Sequence, residues 1–446
     1  MEEIKVYNSL TNKVEPFKTI KEGEVSMYVC GPTVYNDPHI GNMRPVVFFD
    51  TFRKFLEYVG YNVKYVSNYT DVDDKIIKKA IEENKTEKEI TDYYIARYRA
   101  CLEALNVEKA YENPRVTEYM PSIIEYIKGL VDKGSAYVND GEVFFDVTKD
   151  PNYGCLSKIN INDLMAGARI EENSKKKNPL DFLLWKDTNV GIKWQTPWCL
   201  GRPGWHTECC VMIDTIFKGM IDVHGGGMDL KFPHHENEIA QANAMHGNKI
   251  ANYWIHNAMM NIKGEKMSKS LGNVILAKDA ISEYGADVVR LVLLNCPYRS
   301  IVNFSDDTLN DAKTILDKVS FVFKKLNTLL NVKNIPLFEK ANKDKIEPFL
   351  NALSNDINIP NGITYLLDIV KEANVELRKR DASIDVLKED FYVIKDIAYI
   401  LGLHFEPFKF GNESIELYNT YLEAKSNKDF AKSDEIRAKL IAKNVL

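Results

Sequence analysis

The 446-residue sequence has no apolar run approaching the ~18 residues that a membrane-spanning helix needs. Its opening, from Met1 to Lys5, has neither the apolar core of a secretory signal nor an Arg-rich transit pattern. A cytoplasmic protein without a membrane role is expected. Cysteine is sparse: seven residues, at positions 30, 101, 155, 199, 209, 210 and 296. The odd number, the irregular spacing and the lack of any C-x-x-C pair exclude a zinc ribbon and a thioredoxin-type redox pair, and fit a reducing compartment. There is no H-E-x-x-H, so a zincin protease has no support. No period of 20–50 residues repeats, which argues against a solenoid. Positive charge is not in excess either. With 58 Lys+Arg against 64 Asp+Glu the net charge is −6, so any nucleic acid must be met by local basic patches.

What remains is a globular composition, 45% hydrophobic and 27% charged, long enough for two to four domains. Residues 25–30 read as a buried strand and 31–42 as a Gly/Pro/Asn/Asp-rich loop. Val46, Val47, Phe49, Phe52, Leu56 and Val59 then recur at near-helical spacing over 43–59, and 61–66 alternates like a strand. Strand, loop, helix and strand in that order predict a βαβ unit in a parallel sheet, with ligands at the carboxyl ends of the strands. Residues 118–132 predict a helix, and 136–145 a hairpin turning at Asp140-Gly141. The stretch 115–200 reads as an insertion. From about 278 the pattern is mostly helical, closing with a helical hairpin over 414–446.

Three constellations carry chemistry. The first is the loop ending His39-Ile40-Gly41-Asn42 between strand and helix. A helix N-terminus offers free N–H donors to phosphate, Gly41 admits close backbone approach, and His39 can donate to phosphate oxygens. The loop is neither a Walker loop nor a G-x-G-x-x-G. The second is Lys266-Met267-Ser268-Lys269-Ser270, two lysines three apart that can wrap a polyphosphate. Alone it reads equally as an exposed basic loop. The third collects Cys30, Cys209, Cys210, His224, Asp229, His234, His235 and Glu238. Pro233 suits the first position of a helix, which would put His234 and Glu238 four apart on one face, able to share an ion. Thiolate, imidazole and carboxylate are all zinc ligands. Spacing alone does not choose between Cys209 and Cys210, or between His234 and His235.

The first two signatures together resemble the class I aminoacyl-tRNA synthetases, with Asn42 where that family often has His. All three together resemble the cysteinyl-tRNA synthetase family. The resemblance extends over 28–35, 68–76, 153–157, 165–170, 178–186, 201–206 and 284–290. It implies a Rossmann-like parallel-sheet catalytic domain with an inserted α+β subdomain, followed by a mostly α-helical C-terminal bundle. The segments expected are 1–115 and 201–265 for the two catalytic halves, 116–200 for the insertion and 266–310 for the lysine loop and stem contacts. Residues 311–405 would form the helical bundle and 406–446 a terminal hairpin. The resemblance implies one Zn²⁺ held by Cys30, Cys209, His234 and Glu238. It implies Mg²⁺ with ATP at His39, Gly41, Asn42, Lys266, Ser268 and Lys269, and L-cysteine against Gly31, Thr70, Trp205, His224 and Asp229. His39, Lys266 and Lys269 would be catalytic.

The implied reaction makes cysteinyl-adenylate and passes the cysteinyl group to tRNA(Cys). Zinc suits this substrate, because it coordinates a thiolate in preference to the alcohol of serine, and shape alone separates the two poorly. No obligate protein partner and no editing site are evident, and a monomer is expected. The family's chain continues past a stretch like 441–446 with a small anticodon-reading segment, so a truncated or missing tail is the expectation there. A paralogue joining cysteine to an amino sugar is the alternative, though it would not need a helical region of this length. A zinc-dependent hydrolase is a more distant one, disfavoured by the paired ATP signatures.

Overall fold

The computed structural model describes residues 2–159, 175–267, 272–443 and 445. They form two compact units. One comprises Lys5–Glu283 with Tyr298–Asn303. The other comprises Met1–Ile4, Tyr284–Pro297 and Phe304–Leu446.

The first unit is built on a four-stranded parallel sheet, in the order Ala251–Asn257, Ile221–Gly227, Glu24–Val29, Asn62–Val66. Val25, Met27, Tyr28 and Val29 are buried, as a strand covered on both faces requires. The expected βαβ order holds, with the helix Ile40–Tyr58 between the first two strands in sequence. That helix starts three residues earlier than the apolar spacing indicates. The backbone N–H of His39 donates to Asn42 Oδ1 at 3.0 Å, closing a cap that draws 40–42 into the first turn. Gly41 and Asn42 are therefore first-turn residues, and their position comes from capping chemistry rather than hydrophobic period.

A five-stranded antiparallel sheet lies between the second and third parallel strands in sequence. Its order is Ala136–Asn139, Glu142–Phe145, Phe182–Asp187, Leu200–Pro203, Trp194–Gln195. The hairpin turns at Asp140 and Gly141, both at positive φ. Tyr28, Val66, Ile221 and Trp254 of the parallel sheet share one buried cluster with Phe145, Leu184 and Trp185 of the antiparallel sheet. A single core thus runs through both sheets and fixes the insertion to the parallel sheet.

The second unit is helical. The helices Asp306–Val332, Lys343–Ser354, Ile359–Glu376 and Ile384–Leu401 bury Leu326, Leu330, Phe349, Leu353, Phe391 and Ile397. Ser305, Asn342, Asn358 and Ser383 cap their N-termini through side-chain oxygens, the start signals expected of such helices. Asn412–Ser426 and Phe430–Ala442 pair over a small core of Phe410, Ile436, Leu440 and Val445. Among the described residues, no helix is long and apolar enough to cross a membrane.

Candidate active site and metal centre

The candidate residues gather where the parallel strands end. Cys30 follows the strand Glu24–Val29, and its N–H donates to Gly225 O at 3.1 Å, near the end of Ile221–Gly227. Thr70, four residues beyond Asn62–Val66, is tied to the Cys30 loop by backbone bonds. Thr70 N donates to Pro32 O at 3.1 Å, and Val34 N to Thr70 O at 3.2 Å. Strand ends are where side chains of different elements can converge without being filled by the sheet's own residues.

Cys30, Cys209, His234 and Glu238 come together here, their ligand atoms all within 4.8 Å of one another. Cys30 Sγ lies 3.6 Å from Cys209 Sγ and 3.8 Å from Glu238 Oε1, and Cys209 Sγ lies 3.6 Å from His234 Nε2. Four tetrahedral ligands at ~2.0–2.3 Å from a zinc ion would be separated by roughly 3.4–3.8 Å. Of the four separations given, three match, and the other is a direct contact, His234 Nε2 to Glu238 Oε1 at 2.8 Å. Two sulfurs, a nitrogen and a carboxylate oxygen are a zinc donor set.

A second quartet, Cys30, His224, His235 and Glu238, satisfies the same 4.8 Å limit. Its His224 is already engaged at both ring nitrogens, with Tyr28 O at 3.1 Å and Glu238 Oε2 at 2.5 Å. His235 Nε2 is 3.3 Å from Cys30 Sγ, and its Nδ1 faces His256 Nε2 at 2.9 Å. Cys210 belongs to neither quartet. Its sulfur faces the backbone oxygen of Glu238 at 3.5 Å and packs into the core. Adjacent positions on the helix Glu208–Phe217 point about 100° apart, so only one of two neighbouring cysteines can face the site.

His234 and Glu238 meet as the spacing requires, but not through a helix that Pro233 opens. The helix runs Glu236–His246, and Lys231–His235 forms a wider turn before it, with Phe232 non-helical. The turn still delivers His234 to the face that Glu238 occupies.

Burial alone would keep all these groups neutral. Burial works against ionisation of Cys209, but its contacts with Cys30 and His234 outweigh it and bring the thiol down to about 6. Burial, with Cys209 beside it, pushes the Cys30 thiol well up. Burial opposes the Glu238 carboxylate too, yet His224 and His234 hold it well below the usual range. His235 is driven down by burial and by His224, and His206 and His256 fall to about 3, chiefly through burial. Burial works against the His234 imidazolium, but Glu238 and Cys209 outweigh it and push this imidazole well above its usual range. The site thus sets an ionised carboxylate and an easily ionised thiol beside a readily charged His234, with His206, His235 and His256 held neutral.

The remaining candidates occupy different surroundings. Trp205 stacks on His234 with ring centroids 4.4 Å apart and is 42% exposed. Gly31 N donates to Asn68 Oδ1 at 2.9 Å, and a Cβ there would lie 1.7 Å from Asn68 O, which excludes any side chain. Buried Thr70 receives Asn68 Nδ2 at 3.2 Å and donates to Glu208 Oε2 at 2.8 Å. Asp229 is exposed in the turn Met228–Leu230.

His206, Asn68 and Glu208 lie in segments that the sequence singles out, yet neither they nor His256 received a role there, and the structure adds all four to the constellation. Glu208 and His206 flank Cys209 and Trp205, which is the one signal that could have raised them.

The His39 turn also meets the segment that follows the lysine signature. Ile40 N donates to Ile275 O at 2.9 Å and Ala277 N to Pro38 O at 2.8 Å, pairing the His39 turn with the segment after the lysine loop. Lys266 is exposed at the end of the hairpin Met260–Ile262/Glu265–Lys266. Ser268 and Lys269 lie outside the described residues.

This arrangement has a defined class. Residues 16–314 match the family model for the tRNA synthetases class I (C) catalytic domain, and 348–406 match the DALR domain. The Mycobacterium tuberculosis methionyl-tRNA synthetase in complex with methionyl-adenylate shares the fold at a TM-score of 0.61 and 14% identity, covering 85% of this chain and 90% of that one. The Agrobacterium radiobacter LeuRS ternary complex has a TM-score of 0.60 at 12% identity, covering 90% and 88%. Among curated relatives, Cysteine--tRNA ligase of Finegoldia magna is 47% identical over 99% of this chain and 97% of its own length. That of Brevibacillus brevis is 43% identical over the same shares. The chain belongs to the cysteine–tRNA ligase family of class I tRNA synthetases.

Proposed function

We propose that this protein activates L-cysteine with ATP and transfers the cysteinyl group to the 3′-terminal adenosine of tRNA(Cys). The observation that carries the reading is the quartet Cys30, Cys209, His234 and Glu238 at the carboxyl end of the parallel sheet, beside the paired His39 and Lys266 signatures.

Those four residues would hold a zinc ion, in preference to the quartet containing His224. In the first set Nε2 of His234 faces the sulfur and carboxylate, while Nδ1 is held 3.3 Å from His206 Nδ1. In the second, ligation by His224 would cost one of two buried hydrogen bonds. When bound, zinc supplies a soft Lewis acid that favours the thiolate of cysteine over the hydroxyl of serine. His224 acts here by gripping Glu238 Oε2, which leaves Oε1 turned to Cys30 Sγ and His234 Nε2.

Gly31, Thr70, Trp205, His224 and Asp229 bound the amino-acid space, with Asp229 placed for the substrate ammonium. A carboxylate oxygen of cysteine attacks the ATP α-phosphorus, the bond to the β-phosphate bridging oxygen breaks, and pyrophosphate leaves. His39, Lys266 and Lys269 stabilise the charge on the phosphates with Mg²⁺, while Gly41, Asn42 and Ser268 complete the ATP contacts. A terminal tRNA hydroxyl then attacks the acyl carbon, loses its proton and releases AMP. Positioning and electrostatics suffice, and no protein nucleophile is needed.

The division into 1–115 and 201–265, 116–200, 266–310, 311–405 and 406–446 completes the proposal, with tRNA met by the helical segments and a cytoplasmic monomer as the working form. The test is charging of total tRNA with labelled cysteine and, separately, serine in the presence of ATP. Cysteine-only charging is expected. Equal charging with serine, or none with either amino acid and no cysteine-dependent ATP–pyrophosphate exchange, sinks the reading.

A further inference from the structure

Two residues before His39, Asp37 makes contacts that the proposed chemistry does not use. Its carboxylate is 13% exposed and meets two cations from different elements. Arg97, from the helix Glu87–Ala104, grips it with Nε on Oδ1 and with Nη2 2.9 Å from Oδ2. Lys278, from the helix Ala277–Tyr284, reaches Oδ2 at 3.1 Å. Arg97 is itself steadied by Tyr93, whose hydroxyl accepts from Nη1 at 3.2 Å and whose ring lies 5.3 Å from the guanidinium carbon. Burial works against the Asp37 charge, but the two cations outweigh it and hold the carboxyl below its usual range.

The location gives this trio its meaning. Lys278 directly follows the backbone ladder that pairs Pro38 and Ile40 with Ala277 and Ile275. Within the lysine signature itself, a Cβ on Gly41 would stand 2.7 Å from the methyl of Met267, so Met267 already rests against the His39 turn. The His39 turn is therefore anchored at Met267 near the start of the signature and at Ile275–Ala277 beyond its end, and the second anchor is reinforced by a bidentate ion pair. A carboxylate beside a triphosphate site would ordinarily repel the ligand. Here two cations against one anion leave the trio net positive.

We propose that Asp37 is a positioning residue for the ATP step. With Arg97 and Lys278 it fixes the distance between the His39 turn and the segment that follows the lysine signature. The inference rests on the ATP reading of those two signatures, but not on cysteine as the substrate. A bidentate Arg–carboxylate pair suits the task because its planar fork sets direction as well as distance.

The test uses the full chain with Asp37→Asn, Lys278→Met and the double variant. Isothermal titration with Mg·ATP and cysteine-dependent ATP–pyrophosphate exchange are both read. Loss of alignment near reacting phosphates costs up to about 10²-fold. Asp37→Asn should raise the ATP Kd about tenfold and lower exchange kcat/KM for ATP on the order of 10²-fold. KM for cysteine should stay within about twofold, a split that general destabilisation would not produce. Lys278→Met, on a side chain 42% exposed, should fold normally and move the same constants in the same direction. The double variant should be no worse than Asp37→Asn, because both changes remove one device. Unchanged ATP binding in Asp37→Asn, fully additive effects, or an equal rise in both KM values overturns the proposal, as does a wild-type protein that does not bind Mg·ATP. If ATP binding responds as expected while no cysteine-dependent exchange occurs, the clamp stands and the cysteine reading falls.

Discussion

The two halves of the candidate site are built on opposite principles. At the quartet, Cys209, His234 and Glu238 are almost fully buried, and the surrounding imidazoles are bonded to one another, to Tyr28 and to Ser9. At the proposed phosphate end, His39 is partly exposed and Lys266 exposed, and the fixed charges sit one step back, in Asp37, Arg97 and Lys278. On the proposed function, the difference follows from what each half would have to distinguish. Separating sulfur from oxygen requires a dry, rigid donor set, because the discrimination lies in a few tenths of an ångström and in thiolate character. Handling a triphosphate requires positive charge that arrives with the ligand, and long lysine stems supply it better than buried groups.

The comparison is broken most directly at the quartet. Structural zinc sites contribute roughly 10–16 kcal/mol over four ligands, so losing one should cost about 10²–10³-fold in metal affinity. Cys209→Ser should release zinc on dialysis against chelator, read by elemental analysis, and abolish cysteine-dependent exchange. Retained zinc would move the centre to the His224–His235 set. At the other end, Lys269→Ala should lower adenylate formation on the order of 10²–10³-fold while zinc content and cysteine affinity hold. A change in zinc content would mean the two halves are not separable. The support behind the ligands should count for less. His224→Ala is expected to weaken zinc binding about 10–100-fold, measured by competition with a chromophoric chelator. Asp229→Ala should raise KM for cysteine about tenfold with kcat unaltered, as for one charged contact to a substrate ammonium. An unchanged KM would remove Asp229 from the pocket.

The smallest effect is a titration of the zinc-free protein. The Cys209 thiol, brought down to about 6, binds a proton less readily in the folded chain than in the unfolded one. Its contribution to stability is therefore complete above about pH 9 and is lost as pH falls through about 6. The neighbouring Cys30, pushed upward, stays protonated through that window. Thiolate absorbance near 240 nm should show one step with a midpoint near 6, absent in Cys209→Ser. Two steps, or none, would show that the buried thiols share the charge differently.

Much of this was legible in the residues themselves. The apolar run at 25–29 and the helical spacing after it announced the βαβ unit, and the order of motifs announced the family. Caps were less legible. The helix Ile40–Tyr58 begins at an Asn42 cap that hydrophobic spacing does not register. The wider turn at Lys231–His235 likewise replaces the helix start that Pro233 suggested. Both departures are local hydrogen-bond solutions, which a pattern of apolar positions does not encode.

By itself, the sequence determined the chemistry available: thiols, imidazoles and carboxylates in the right numbers, lysines beside a glycine turn, and a parallel-sheet order that directs them to one edge. Only the tertiary structure decided which of the adjacent candidates face that edge. Cys209 looks into the quartet while Cys210 looks into the core, because successive helix positions diverge by about 100° and one direction was taken by packing. Only the fold, too, could bring Asp37, Arg97 and Lys278 together across up to 241 residues of chain. Contacts of that range are chosen by closing a common core, and no local pattern records them.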